Sequence, residues 1–226
     1  MIFLGDVTVL GVRSFLRSFR YGVYCCLMAK KHAEQANNTK KRVVLLDMHA
    51  ILHRSYHALQ QGFTSPVTGE PTGALYGFAT LFFKMLEELE PHCIVACYDL
   101  PAPTHRHAAF TDYKATRKKA DDELIAQINR SKELLNAFAV PYLEQAGYEA
   151  DDLLGTLAQQ YKQQSDTEVV IVSGDMDTLQ LVDGDVVRVY TLKRGVQDTV
   201  LYDEQQVCER YGFPPERIPD YKGLRG

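Results

Sequence analysis

Three apolar runs stand out along the chain: RVVLLD (42–47), CIVACYD (93–99) and EVVIVSGDMD (168–177). Short runs of this kind, rich in β-branched residues, predict strands buried on both faces. Between them the pattern changes. HAILHRSYHAL reads as a helix, and ALYGFATLFFKMLEELE, stopped by Pro91, has the length and apolar content of a buried one. ELIAQINRSKELLNAFAV is amphipathic, PYLEQAG predicts a short strand and turn, and GYEADDLLGTLA opens a helix running to about Gln163. DVVRVYTLKRGVQDTVLY alternates around Lys193-Arg194-Gly195 and predicts a strand hairpin. DEQQVCERYG is a short helix with Gly212 as its stop, and FPPERIPDYKGLRG carries no further expected element. TSPVTGEPTG is dense in turn formers and reads as a loop.

Strands alternating with helices predict an α/β fold around a mainly parallel sheet. Right-handed crossovers bring the carboxyl ends of such strands to one edge, where ligands bind. One connection, LPAPTHRHAAFTDYKATRKKADD (100–122), is long, basic and aperiodic. Long connections of that kind are usually functional or mobile.

Residues 1–40 read as an N-terminal extension, partly disordered, with the domain running from about Lys41 to 226. Asp6 interrupts the apolar start, which lacks the basic leading region of a signal peptide. Arg13, Arg17 and Arg20 recur at helical spacing, so a basic amphipathic surface helix is one reading. A start codon placed too early is another, because Met28 opens the polar stretch MAKKHAEQANNTKK.

The totals change the picture little. With 226 residues, 46% hydrophobic, 24% charged and a formal net charge of −4, the chain is an ordinary globular protein whose overall charge advertises no polyanionic partner. No stretch reaches the roughly 18 apolar residues of a membrane helix. The five cysteines form no CxxC pair and no zinc pattern. Cys93 and Cys97 read as small buried thiols, and a reducing cytoplasm fits.

Local charge changes it more. Asp47, Asp99, Asp175 and Asp177 lie at or just past the ends of the three buried strands, and Glu149, Asp151 and Asp152 begin a helix. Each has a plain account alone: a polar strand end, a helix cap, or an acidic first turn favoured by the helix dipole. Repetition at three strand ends has no packing reason. Gathered on one edge, these carboxylates would repel one another and raise each other's pKa values unless divalent cations relieve them. An all-oxygen donor set without His or Cys suits Mg²⁺ or Mn²⁺. Two such ions about 4 Å apart activate water and stabilise an in-line phosphoryl displacement, so a phosphodiester is a natural substrate.

The long connection supplies the complementary charge. Within THRHAAFTDYKATRKK, Arg106, Lys114, Arg117, Lys118 and Lys119 stand against one acid, Asp112, and Tyr113 offers a ring on which a base could stack. Arg54 is a further phosphate candidate. His49, His53 and His57 share one helix face, for which polar surface histidines are the plainer account.

From about Arg42 onward the chain resembles the 5′-nuclease domain of bacterial DNA polymerase I, in the flap-endonuclease superfamily. VVLLDMHAILHRSYHAL, GEPTGALYGFATLFFKML, CIVACYD, HRHAAFTDYKATR, GYEADDLLGTLA, VVIVSGDMDTLQLV and ERYGFPPERIPDYKGLRG carry the likeness in the family's order. The resemblance implies a PIN-like three-layer fold with a central, mainly parallel sheet flanked by helices, and a basic arch. It implies that Asp47, Asp99, Glu149, Asp151, Asp152, Asp175 and Asp177 bind metal, with two ions in the complete domain. It places Lys114 near the scissile phosphate, and Arg106, Tyr113 and Arg117 in the arch that handles the 5′ end. Arg54 matches an arginine on the first helix. The implied activity is 5′-3′ exonuclease and 5′-flap cleavage of DNA in primer removal and repair. The expected setting is monomeric, cytoplasmic, near the nucleoid and not at a membrane, acting with or fused to a polymerase.

Three departures stand beside the likeness. The family's D-x-S-D-N segment and helix-hairpin-helix do not follow DYKGLRG, so the domain is expected to be C-terminally incomplete, with an underfilled second metal site and a weak grip on duplex DNA. RKKADDEL replaces a proline-rich step, and residues 1–40 match nothing in the family. A PIN-type ribonuclease, a haloacid-type phosphatase built around SGDMDT, and a DNA binder without turnover remain as alternatives.

Overall fold

The computed structural model describes residues 40–59, 63–116, 119–194 and 198–225. The expected surface helix near Arg13, the tip of the predicted hairpin at Gly195, and the basic residues Arg117 and Lys118 lie outside the described residues.

Six strands form one sheet in the order β3-β2-β1-β4-β5-β6. They are β1 (Lys41–Asp47), β2 (Cys93–Tyr98), β3 (Tyr142–Glu144), β4 (Thr167–Ser173), β5 (Val187–Arg194) and β6 (Asp198–Tyr202). Strand β1 lies in the middle, with Leu45 opposite Val95 of β2 and Ile171 of β4. The five strands β1 to β5 run parallel, and β6 returns antiparallel to β5.

Helices cover both faces. They are α1 (Met48–Ala58), α2 (Gly73–Leu89), α3 (His105–Ala109), α4 (Asp122–Ala137), α5 (Ala150–Lys162), α6 (Glu204–Tyr211) and α7 (Ile218–Arg225). Val44, Leu46, Ala96, Val170 and Val172 pack with Ile51 of α1, Phe78 and Phe82 of α2, and Leu124 and Leu135 of α4. The alternate residues Val43, Leu45, Val95, Val169 and Ile171 pack with Leu154 and Leu157 of α5, Leu179 and Val207. Two-sided burial explains why the strands are apolar at every position rather than alternating. The result is the three-layer α/β architecture that the sequence predicts.

The helices start and stop where the sequence chemistry dictates. Asp47, the last residue of β1, caps α1 by accepting the Ala50 N–H at 3.1 Å. Helix α6 ends at Gly212, whose φ of 81° is left-handed backbone that glycine adopts without strain. Cys97 is buried and Cys93 half-buried. Among the described residues no helix is long and apolar enough to cross a membrane.

Two elements differ from expectation. The basic connection contains the short helix α3, held by a capping box between Thr104 and His107. The segment after Pro214 is a 3₁₀ turn (Pro215–Arg217) leading into α7. Its prolines mask it in the sequence, yet Pro215 and Pro219 both sit in first turns, where no backbone N–H is needed.

Candidate metal centre

Strand ends and helix starts deliver the acids to one edge. Asp47 ends β1, Asp99 follows β2, Glu149 caps α5 with Asp151 in its first turn, and Asp175 and Asp177 follow β4 at a 3₁₀ turn (Met176–Leu181). All six line a cleft of about 800 Å³. Arg54, Tyr113 and Lys114 share that cleft, as do His49, His53 and His57 along α1.

The carboxylates are held by short backbone and hydroxyl contacts. The Ser173 hydroxyl donates to Asp47 at 2.6 Å and accepts the Asp175 N–H at 2.9 Å, tying two strand ends together. Asp99 accepts the Ala150 N–H at 2.6 Å, at the positive end of α5. Its own N–H donates to His49 Nδ1 at 3.1 Å. Asp175 caps the 3₁₀ turn by accepting the Asp177 N–H at 2.9 Å.

Burial and crowding distort the titration of two acids. Burial lifts Asp47 to about 6, with Asp99 and Asp175 adding repulsion and the Ser173 and Ala50 hydrogen bonds opposing it. Burial lifts Asp151 to about 7, reinforced by Asp47, Asp175, Asp99 and Glu149. Asp151 accepts no hydrogen bond among the described residues. A divalent cation would relieve both groups, and oxygen donors from four chain segments suit Mg²⁺ or Mn²⁺. Among the described residues, no three His, Cys, Asp or Glu side chains are already drawn into a ligand cluster. The chemistry of the donor set fits such an ion.

Several expected site residues have other partners. Asp152 does not line the cleft. Its two oxygens take Arg106 at 2.7 and 2.6 Å, and one accepts the Glu149 N–H at 3.0 Å in the capping box of α5. Arg106 is thus committed to joining α3 to α5. Lys119 pairs with Asp122 at 2.8 Å on the surface, away from the cleft. Glu149 faces two cations of its own chain, Lys114 at 2.8 Å and Arg106 at 3.4 Å, and accepts a hydrogen bond from the Tyr113 hydroxyl at 3.1 Å. Arg54 lines the cleft while donating to the Lys193 carbonyl at 2.8 Å.

Sequence reasoning passed over Ser173, Gly174 and Lys222. A Cβ on Gly174 would stand 2.8 Å from the Ala50 carbonyl oxygen, so glycine lets the end of β4 close on the first turn of α1. The invitation was visible: Ser-Gly between a buried strand and an acid pair. Lys222 of α7 reaches Asp177 at 2.5 Å, a contact with no local sequence signal.

Comparison with known proteins places the chain among relatives. A family model described as the 5′-3′ exonuclease, N-terminal resolvase-like domain, matches residues 42–212. The chain belongs to that family. DNA polymerase I of Caldicellulosiruptor bescii is 39% identical over 188 residues, covering 82% of this chain and 22% of that protein. DNA polymerase I of Bacillus subtilis is 38% identical over 187 residues, covering 83% of this chain and 21% of that protein. A 5′-3′ exonuclease of Aquifex aeolicus is 37% identical over 186 residues, covering 82% and 62%. The chain thus spans about a fifth of the polymerases it matches. In fold it is similar to the bacteriophage T5 5′-exonuclease with bound divalent metal ions (zinc), at a TM-score of 0.60 and 13% identity over 79% of this chain and 64% of that one. The T5 flap endonuclease in a complex with DNA and metal ions gives a TM-score of 0.60 at 14% identity, over the same 79% and 64%. These likenesses show the PIN-like fold.

Proposed function

We propose that residues 41–226 form a nuclease unit that hydrolyses DNA phosphodiesters from a 5′ end or 5′ flap with divalent cations, Mg²⁺ or Mn²⁺. The observation that carries this reading is the meeting of six carboxylates from separate chain segments in one cleft with Tyr113 and Lys114. Family membership supports it, and its relatives and fold neighbours include a 5′-3′ exonuclease and a flap endonuclease bound to DNA and metal ions.

In this reading Asp47, Asp99, Glu149, Asp151, Asp175 and Asp177 hold divalent cations, of which the complete domain would take two. When bound, such ions activate water and stabilise charge on the phosphate. The chain's own residues do the remaining work. Lys114 and Arg117 engage the scissile phosphate, and Lys114 already lines the cleft. Tyr113 offers a stacking face to the base next to it. Arg54, Lys118 and Lys119 contact the strand's backbone electrostatically. Asp152 and Arg106 act in positioning, fixing α3 against the start of α5 so that Tyr113 and Lys114 stand beside Glu149. The unit acts as a monomer in the cytoplasm, at the nucleoid, with a DNA polymerase as partner or fusion.

The test is cleavage of a labelled 5′-flap DNA with Mg²⁺ or Mn²⁺, against EDTA and an RNA flap of the same sequence. Divalent-dependent release of the DNA flap is expected, abolished by Asp99→Ala or Asp175→Ala. Equal cutting by these variants would remove the assignment. A second reading, DNA binding without turnover, draws on the pairing of Glu149 with Lys114 and Arg106. A gel shift without cleavage in Mn²⁺ would favour it.

A further inference from the structure

The outward face of α2 is aromatic rather than polar. Tyr76 and Phe83, two turns apart on that face, are 53% and 54% exposed. Phe63, from the connection before α2, stacks on Tyr76 with ring centroids 4.8 Å apart and is itself 38% exposed. Between the two α2 rings, the Thr80 hydroxyl is spent on the Tyr76 carbonyl at 2.9 Å. Phe138, just past α4, extends the strip, its ring edgewise to Phe83 at 5.6 Å between centroids. Apolar clusters of this kind, bordered by charge, mark docking surfaces. The border here is acidic. Glu87, one turn beyond Phe83, Glu90 at the end of α2 and Glu133 on α4 are exposed, and none forms an ion pair among the described residues.

We propose that this strip is the docking surface for residues 13–24 of the same chain. That segment, RSFLRSFRYGVY, joins Phe15, Phe19, Tyr21 and Tyr24 to Arg13, Arg17 and Arg20 and carries no acid. Its rings match the strip and its charge is opposite to the strip's border. The chain also enters the fold at the right place. The Arg42 carbonyl, at the start of β1, accepts the His92 N–H at 2.8 Å, and the Arg42 guanidinium donates to the Leu89 carbonyl at the end of α2. Phe83 lies six residues back from Leu89, about 9 Å along the helix. Residues 25–39 can span about 50 Å when extended, so reach does not limit the contact. None of the four strip aromatics lines the acidic cleft, and the proposal does not depend on the nuclease reading.

The direct readout is photo-cross-linking in the full chain, with p-benzoylphenylalanine in place of Phe83 and peptide mapping of the irradiated protein. The expected product is a monomer in which position 83 is joined to residues 13–24. Arg13→Glu, Arg17→Glu and Arg20→Glu together should lower its yield by about fivefold or more. The same cross-linker in place of Leu224, 91% exposed on α7 at the opposite face of the sheet, should not capture the segment. The proposal is overturned if the product is a cross-linked dimer, or if no peptide from residues 13–24 is captured. It is equally overturned if charge reversal leaves the yield unchanged, or if position 224 captures the segment as well as position 83 does.

Discussion

Arg106 grips Asp152 with both terminal nitrogens, at 2.7 and 2.6 Å, in a contact that is 15% exposed on the arginine side and 11% on the carboxylate side. The pair spans 46 residues of sequence and joins the basic connection to the start of α5. Removing the arginine strands the mostly buried Asp152 carboxylate, while Glu149 keeps Lys114 and the Tyr113 hydroxyl. Arg106→Ala is therefore expected to cost about 3 kcal/mol in urea unfolding. Arg106→Lys should recover only part, because an ammonium cannot reproduce the forked geometry.

The same contact sets a pH dependence. Burial would raise the pKa of Asp152, but the Arg106 hydrogen bonds outweigh it and hold the group below its ordinary 3.8. A carboxylate depressed in the folded state contributes stability above its unfolded pKa, and that contribution disappears as pH falls through the folded value. Wild-type protein should lose stability below about pH 4 more steeply than Asp152→Asn, measured by urea midpoints at pH 5 and pH 3.

Asp47 and Asp151 act in the opposite sense. Both are raised from 3.8, to about 6 and about 7. The folded, metal-free protein then binds more protons than the unfolded chain between pH 4 and 7, so stability falls as pH rises through that window. Asp151→Asn keeps the shape and removes the charge. It should stabilise the EDTA-treated protein at pH 8 by about 2–4 kcal/mol, with little effect at pH 4.

Lys114 sits in left-handed backbone, with φ of 57°. That conformation strains any residue with a side chain by about 1–2 kcal/mol. Lys114→Ala and Lys114→Gly both delete the ion pair to Glu149, so their difference reports the backbone alone. The glycine variant should be more stable by about 0.5–1 kcal/mol in parallel denaturation curves.

Gly174 tests how closely the site is packed. A methyl there meets the Ala50 carbonyl oxygen at 2.8 Å and the Arg54 side chain at 3.2 Å. Gly174→Ala is expected to cost about 1–3 kcal/mol and to weaken Mn²⁺ binding by parting Asp47 from Asp175. Gly155→Ala, whose nearest neighbour would be Leu181 at 3.5 Å, is the tolerated control.

The strands and the acids at their ends were legible in the sequence because both follow from local chemistry. A doubly buried strand must be apolar throughout, so RVVLLD and EVVIVS declare themselves, and the aspartates after them mark the edge where the sheet opens. Which acids face the cleft was not legible. Asp151 and Asp152 are neighbours, yet one lines the cavity and the other turns to Arg106, a choice made by a partner 46 residues away. Lys222 is hidden for the same reason, since its partner Asp177 comes from another segment. Helix α7 escaped notice because only Ile218 of its residues is buried, leaving almost no apolar periodicity to read. The histidine face was visible as spacing, but its place in the cleft needed the fold.

The most direct measurement is Mn²⁺ binding followed by EPR at pH 8, comparing the wild-type chain with Asp99→Asn and Asp175→Asn. Carboxylates gathered for hard dications predict bound Mn²⁺ in the wild type and at least a tenfold loss in each variant. Equal binding by all three proteins would contradict a cation centre at these strand ends.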